Sequence, residues 1–201
     1  MASRSYRART RPKRTAETRD RITSAVRELL AEGVFHESTM EEVADRAGVS
    51  RATLYLHFGS RLELVDAICD TFDQNPALLR LRATVDGLEA DAALDGTIAE
   101  AMRFWSSEDP VLRHLYGVVA IDPAARDLVD RQRADRRGEL ERLVRNLARA
   151  GRLRAGTNER HALSLLLVLT SYETFRELRQ AGLSDRRLTA TLQKSARDLL
   201  Y

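Results

Sequence analysis

The sequence predicts an all-α fold, with a group of short helices at the N-terminus followed by longer helices that form a bundle. Three observations carry this. Apolar residues recur at i, i+3, i+4 and i+7 along most of the 201 residues. Only four prolines and ten glycines interrupt the chain. Strand-like alternation is sustained nowhere.

The helical pattern begins near Thr15, and Ile22, Ala25, Val26, Leu29 and Leu30 make its first apolar stripe. Upstream, residues 1–14 have no stripe and read as a disordered arm. Arg4, Arg7, Arg9, Arg11, Lys13 and Arg14 make that arm basic, with no acid among them. It is either a solvated tail or a segment that condenses on phosphates. Gly33 can stop the first helix. Ser38-Thr39-Met40-Glu41 then reads as a capping box that opens a second helix, with Met40, Val43, Ala44 and Ala47 on one face. Gly48 ends it after barely two turns. Ser50 opens a third helix, which Gly59 closes behind Phe58. Ser60 opens a fourth, with Glu63 three residues on and Leu62, Val65, Ile68 and Phe72 continuing it.

Longer helices are expected near 76–92, 94–106, 109–120, 123–150, 158–181 and 184–200. Asp109-Pro110 and Asp122-Pro123 each place a capping acid before a proline at the first helical position. Gly151 and Gly156 bracket a turn, and Thr157 or Asn158 can cap the helix after it. No internal repeat is present.

Composition narrows the function classes. No apolar run approaches the ~20 residues of a membrane span, and no apolar stretch follows the basic N-terminus as it would in a secretory signal. Cys69 is the one cysteine, which excludes an internal disulfide framework and fits a reducing, cytoplasmic setting. His36 and His161 have no ligand partner at metal spacing, so neither a metal nor a cofactor is expected. There is no phosphate-cradling glycine loop and no nucleophile elbow, and the chain does not read as an enzyme.

Function is carried by Glu41 to Phe58, which has helix-turn-helix form. Ala44 is small where two helices cross, Gly48 permits the tight turn, and Val49 and Leu54 fill the space between the helices. On a wheel of the third helix, Leu54 and Phe58 point inward. Ala52, Thr53 and Leu56 point outward, flanked by Arg51 and Tyr55 on one side and His57 on the other. The surface contains no acid. Arg51 can pair bidentately with a guanine, and Ala52 or Leu56 fits a thymine methyl. Thr53, Tyr55 and His57 suit phosphate oxygens, and the free amide groups of the helix that Ser50 caps can also bind a phosphate.

The segment TRDRITSAVRELLAEGVFHESTMEEVADRAGVSRATLYLHFGSRLELVDAI closely resembles the DNA-binding domain of the TetR family of bacterial transcription regulators. The resemblance covers about residues 15–70. It implies that Thr39, Tyr55, His57 and Arg61 anchor phosphates while Arg51, Ala52 and Thr53 approach bases. Arg61 stands where lysine is commonest in the family, and Leu56 where an aromatic or histidine is frequent. The resemblance divides the chain into an arm (1–14), a three-helix DNA-binding domain (15–60) and a regulatory domain for ligand binding and dimerisation (61–201).

The helix after Asn158 carries the run Leu163 to Leu169, apolar around most of its circumference, so it is buried on more than one side. It is either a central core helix or, as the resemblance implies, a helix that pairs across a two-fold axis. In the second case Leu166 and Leu169, with Leu188 and Leu192 of the last helix, form a homodimer interface. The resemblance also implies a cavity for a small-molecule effector of unknown identity, with Met102, Trp105, His114, Tyr116 and Tyr172 as lining candidates. The expected function is a repressor that binds palindromic operator DNA as a dimer and is released by its ligand. An architectural or recruiting DNA-binding protein of the same fold, without an inducer, is the alternative.

Overall fold

The computed structural model describes residues 4–121 and 123–201, with side chains at all of these except 4–13, 120–121, 123–124 and 126. All regular structure among them is helical: α1 (Arg4–Glu32), α2 (Met40–Arg46), α3 (Arg51–His57), α4 (Arg61–Phe72), α5 (Pro76–Gly87), α6 (Ala90–Ile121), α7 (Pro123–Arg149), α8 (Glu159–Leu169), α9 (Tyr172–Gln180) and α10 (Asp185–Leu200). The chain falls into two compact units, residues 1–71 with 110–129 and residues 72–109 with 130–201. Helix α4 therefore packs with α1–α3, although the sequence reading begins the second domain at residue 61.

In the first unit the predicted stripes become the core. Ile22, Val26 and Leu30 of α1, Val43 and Ala44 of α2, Leu54 of α3 and Leu64 and Ile68 of α4 are all buried. Each large apolar side chain so buried stabilises the unit by roughly 1.5–3 kcal/mol. Cys69 is buried among them, as its apolar neighbours predict. Helix α1 begins at Arg4, where the sequence reading places a disordered arm. Apolar periodicity reports packing rather than helix length, and extending a helix already nucleated costs little per residue. The arm's basic side chains from Arg4 to Lys13, and the Asp122 cap, lie outside the described residues.

The capping box of α2 sits one residue later than expected. The Thr39 hydroxyl accepts the Glu42 N–H at 3.2 Å while the Glu42 carboxylate accepts the Thr39 N–H at 2.6 Å. Ser38 and Thr39 each have a glutamate three residues on, so the pattern alone cannot choose between the two registers. Ser38 is committed elsewhere, its hydroxyl donating to the Val34 carbonyl at 2.9 Å. Between α1 and α2, Gly33 adopts φ +80°, and a Cβ there would lie 2.7 Å from Cε1 of His114. Both the backbone and the close imidazole require glycine.

Beyond the first four helices the expected boundaries move: α5 ends at Gly87 rather than near residue 92, and α6 begins at Ala90 rather than near 94. Helix α6 runs unbroken through Pro110 and absorbs the segments predicted as 94–106 and 109–120. The proline removes one ladder bond, but buried residues on both sides, Phe104 and Trp105 before it and Val111 and Leu112 after it, hold the helix together. Asp109 does not cap a helix; its carboxylate accepts the Tyr172 hydroxyl at 2.7 Å and pairs with Arg176 at 3.2 Å.

The opposite correction applies to the segment predicted as one helix over 158–181, which is divided at Thr170 and Ser171 into α8 and α9. Ser171 caps α9 by accepting the Thr174 N–H at 3.0 Å. The carbonyls freed at the end of α8 are taken by remote donors. Trp105 Nε1–H donates to the Thr170 carbonyl at 2.9 Å. One Arg136 amine donates to both the Leu167 carbonyl and the Thr170 hydroxyl. Such partners, 65 and 31 to 34 positions away, leave no trace in local periodicity. Asn158 caps α8 as expected, accepting the His161 N–H at 2.9 Å.

Candidate nucleic-acid interface

Helix α3 is two turns long and depends on its caps and its packed face. The Ser50 hydroxyl accepts the Thr53 N–H at 3.1 Å and fixes the first turn. Leu54 and Phe58 are buried, as the wheel predicts. Arg51, Ala52, Tyr55 and Leu56 are exposed, and Thr53 and His57 are half-buried. Leu56 is 83% exposed, the most of any large apolar side chain among the described residues. The Arg51 guanidinium lies 5.6 Å from the Tyr55 ring centroid. The outward face is thus one cation, one phenol and two aliphatic side chains with no carboxylate.

Two arginines of α1 reach the turn before this helix and its C-terminal end. One Arg21 amine reaches the Gly48 carbonyl in the turn at 3.5 Å. One Arg19 amine reaches the His57 carbonyl at 3.4 Å, with its guanidinium 4.2 Å from the Phe58 ring centroid. Arg46 ties α2 to α1 through a two-pronged contact with Glu32 at 2.8 and 3.0 Å, and its hydrogen bond holds the Glu32 carboxyl below the usual range. Nothing in the local sequence marks Arg19 or Arg21, because their partners stand 38 and 27 residues away.

The two phosphate candidates flanking α3 have other partners in the free chain. The Thr39 hydroxyl donates to the Glu42 carboxylate at 3.0 Å. That carboxyl is held below its ordinary range, chiefly by the Thr39 backbone N–H. Arg61 is half-buried at the first turn of α4. One of its amines donates to the Ser38 carbonyl at 2.5 Å, and its guanidinium carbon sits 3.9 Å from the Phe35 ring centroid. Burial holds its pKa below the ordinary arginine value.

The ligand candidates divide between the units. His114 and Tyr116 belong to the first. There Tyr116 packs on Val119, Ala125 and Val129, and His114 lines a cleft of about 200 Å³ with His36. Met102, Trp105 and Tyr172 belong to the second, where the Trp105 and Tyr172 rings lie 5.4 Å apart. Met102 also borders a cleft of about 250 Å³ with Arg103, Ser106, Phe175, Asp185 and Thr189. The dimer candidates Leu166, Leu188 and Leu192 are buried in the chain's own second unit, whereas Leu169 is half-exposed. Among the described residues no three His, Cys, Asp or Glu are grouped to hold a metal. No helix among them is long and apolar enough to cross a membrane.

Residues 22–68 match the family model for bacterial regulatory proteins of the tetR family. The HTH-type transcriptional regulator UidR of Escherichia coli K12 is 39% identical over 71 residues, which cover 35% of this chain and 36% of that regulator. The chain thus matches only about a third of that relative's length. Solved structures extend the likeness in fold. A TetR-family regulator from Rhodococcus sp. superposes with a TM-score of 0.74 at 18% identity, over 92% of this chain and 100% of that one. SmeT in its complex with triclosan superposes with a TM-score of 0.71 at 20% identity, over 89% of each chain.

Proposed function

We propose that this chain, a TetR-family regulator by its N-terminal domain, represses transcription in the cytoplasm by binding a palindromic operator as a homodimer. The single observation that carries this reading is the outward face of α3. Arg51, Ala52, Tyr55 and Leu56 are exposed together on a helix capped by Ser50, with Arg19 and Arg21 reaching its C-terminal end and the turn before it. An 83%-exposed leucine beside an exposed arginine gives a major groove an aliphatic group for a thymine methyl and a fork of donors for a guanine edge. Selecting bound duplexes from a random pool is expected to yield a two-fold symmetric site, with half-sites spaced by about 34–36 Å or a multiple. Arg51→Ala is expected to relax the preference at one position in each half-site, at a cost of about 1–3 kcal/mol. Recovery of no preferred sequence overturns the reading.

The apolar stripe that supports a two-fold partner is Leu165, Val168 and Leu169 on α8, spaced i, i+3 and i+4. Val168 is 64% exposed in the protomer. We place the small-molecule effector in the 250 Å³ cleft, where Met102 and Phe175 give apolar walls and Ser106, Thr189 and Arg103 give polar handles. The Trp105 indole and Tyr172 hydroxyl, expected to face such a ligand, already spend their polar groups inside the chain. A ligand that releases the operator must prefer the conformation that binds DNA poorly. Titrating a screened compound with and without operator is therefore expected to give affinities that differ by about 5–150-fold. Equal affinities would favour the inducer-free alternative.

A further inference from the structure

The resemblance implies a phosphate-anchor role for Arg61, while its partners in the free chain are a backbone carbonyl and an aromatic ring. A side chain that neutralises a phosphate must turn an N–H group to solvent. Here Nη1 points inward to the Ser38 carbonyl at 2.5 Å, and Nη2 is closed off from solvent without a hydrogen-bond partner. The flat guanidinium covers the Phe35 ring at 3.9 Å, and Phe35 is itself buried. One side chain of α4 thus grips two points, Phe35 and Ser38, of the loop that leads from α1 into α2.

The gripped peptide matters because it precedes the helix cap. Thr39 takes φ −81° and ψ 163°, an extended geometry that turns its hydroxyl onto the Glu42 N–H. The Ser38 carbonyl belongs to the peptide unit joining Ser38 to Thr39, so fixing that carbonyl fixes where the Thr39 N–H and hydroxyl point. Holding a guanidinium half out of water against a neutral carbonyl and a ring is expensive. A lysine could supply the charge but neither the flat face nor the fixed fork of donors.

We infer that Arg61 is a positioning residue that sets the operator contact of Thr39 through the Ser38 carbonyl and touches no phosphate itself. This deepens the DNA-binding reading and rests on it for the operator contact; the latch on Ser38 can be tested without DNA.

Hydrogen exchange on the full chain tests the latch. In Arg61→Met the Glu42 and Val43 amides are expected to exchange at least tenfold faster, with the Leu29 and Leu54 amides changed less than twofold. Equal acceleration everywhere would mean a general loss of stability and overturn the inference. Arg61→Lys keeps the charge and guards against a variant that fails to fold. It is expected to loosen the same two amides, and full protection in lysine's presence would also overturn the inference.

Binding to a duplex selected from a random pool tests the contact. The slope of log affinity against log salt is expected to stay unchanged in Arg61→Met, because Thr39 is neutral. Loss of a direct phosphate contact would lower the slope by about 0.9 and overturn the inference. Thr39→Ala and Arg61→Met are expected to weaken binding by no more together than either alone, whereas additive losses would separate the two residues. If no duplex is preferred, the DNA-binding reading falls while the exchange measurement still decides the latch.

Discussion

Val168→Glu is expected to convert the proposed dimer into a folded monomer and to remove the proposed operator binding with it. Val168 is 64% exposed on α8, so a glutamate there meets water in the isolated protomer and costs the fold little. In an isologous interface the same residue is buried twice, once from each copy. A buried carboxylate without a partner costs roughly 3–5 kcal/mol, so the dissociation constant of the dimer is expected to rise by about a thousandfold or more. Sedimentation equilibrium reads this directly, and circular dichroism checks that helicity is retained. Leu166→Glu is the contrasting variant. Leu166 is fully buried within its own protomer, so the charge is expected to unfold the second unit rather than divide two intact copies. An unchanged dimer in Val168→Glu would place the interface elsewhere.

Trp105 is expected to be the most costly single side chain to lose. Its rings pack between Phe104, with centroids 4.8 Å apart, and Tyr172 at 5.4 Å. Its N–H satisfies the Thr170 carbonyl at the division between α8 and α9. Trp105→Ala removes all of this and is expected to cost about 3–5 kcal/mol, measured by urea denaturation. Trp105→Phe keeps most of the packing and removes the donor. Thr170 is 1% exposed, so its carbonyl would be left buried and unpaired at about 1–3 kcal/mol. A phenylalanine variant as stable as the parent would mean that Thr170 finds another donor and that the indole only fills space.

The contrast between the two units explains what was legible in the sequence. In α2 and α3 nearly every determinant is local: Ser50 caps within three residues, Gly48 makes the turn, and Leu54 and Phe58 mark the inner face. Those helices and their outward side chains follow from spacing alone. The ambiguities began where the decisive partner is distant. Nothing near Asp109 announces that its carboxylate will bond Tyr172 and Arg176 rather than cap a helix, so α6 read as two helices. Nothing near Thr170 announces Trp105 and Arg136, so α8 and α9 read as one. Leu166 shows a different limit. An all-apolar run declares burial on several sides but not which side meets its own chain and which meets another.

The same distance rule governs the candidate interface. Arg51, Ala52, Tyr55 and Leu56 could be placed on the surface because a helical wheel needs only the helix itself. Arg61 could not be placed, since its charge and register fit a phosphate while its partners, Ser38 and Phe35, lie more than 20 positions upstream. Arg19 and Arg21 gave no signal for the same reason. A basic residue on the polar face of a helix reads alike whether it faces solvent, a nucleic acid or a backbone carbonyl.

Trp105 is also the chain's one tryptophan. Light absorbed at the red edge of the protein spectrum is therefore emitted from a single place, beside the end of α8, with the indole dipole tied to the Thr170 carbonyl. Emission colour and lifetime report the polarity and hydrogen bonding at that one joint, with no background to subtract. The chain carries a built-in optical gauge next to the helix whose exposed stripe is proposed to meet its partner. The proposed dimer and the proposed effector can both be tested on it in unlabelled protein.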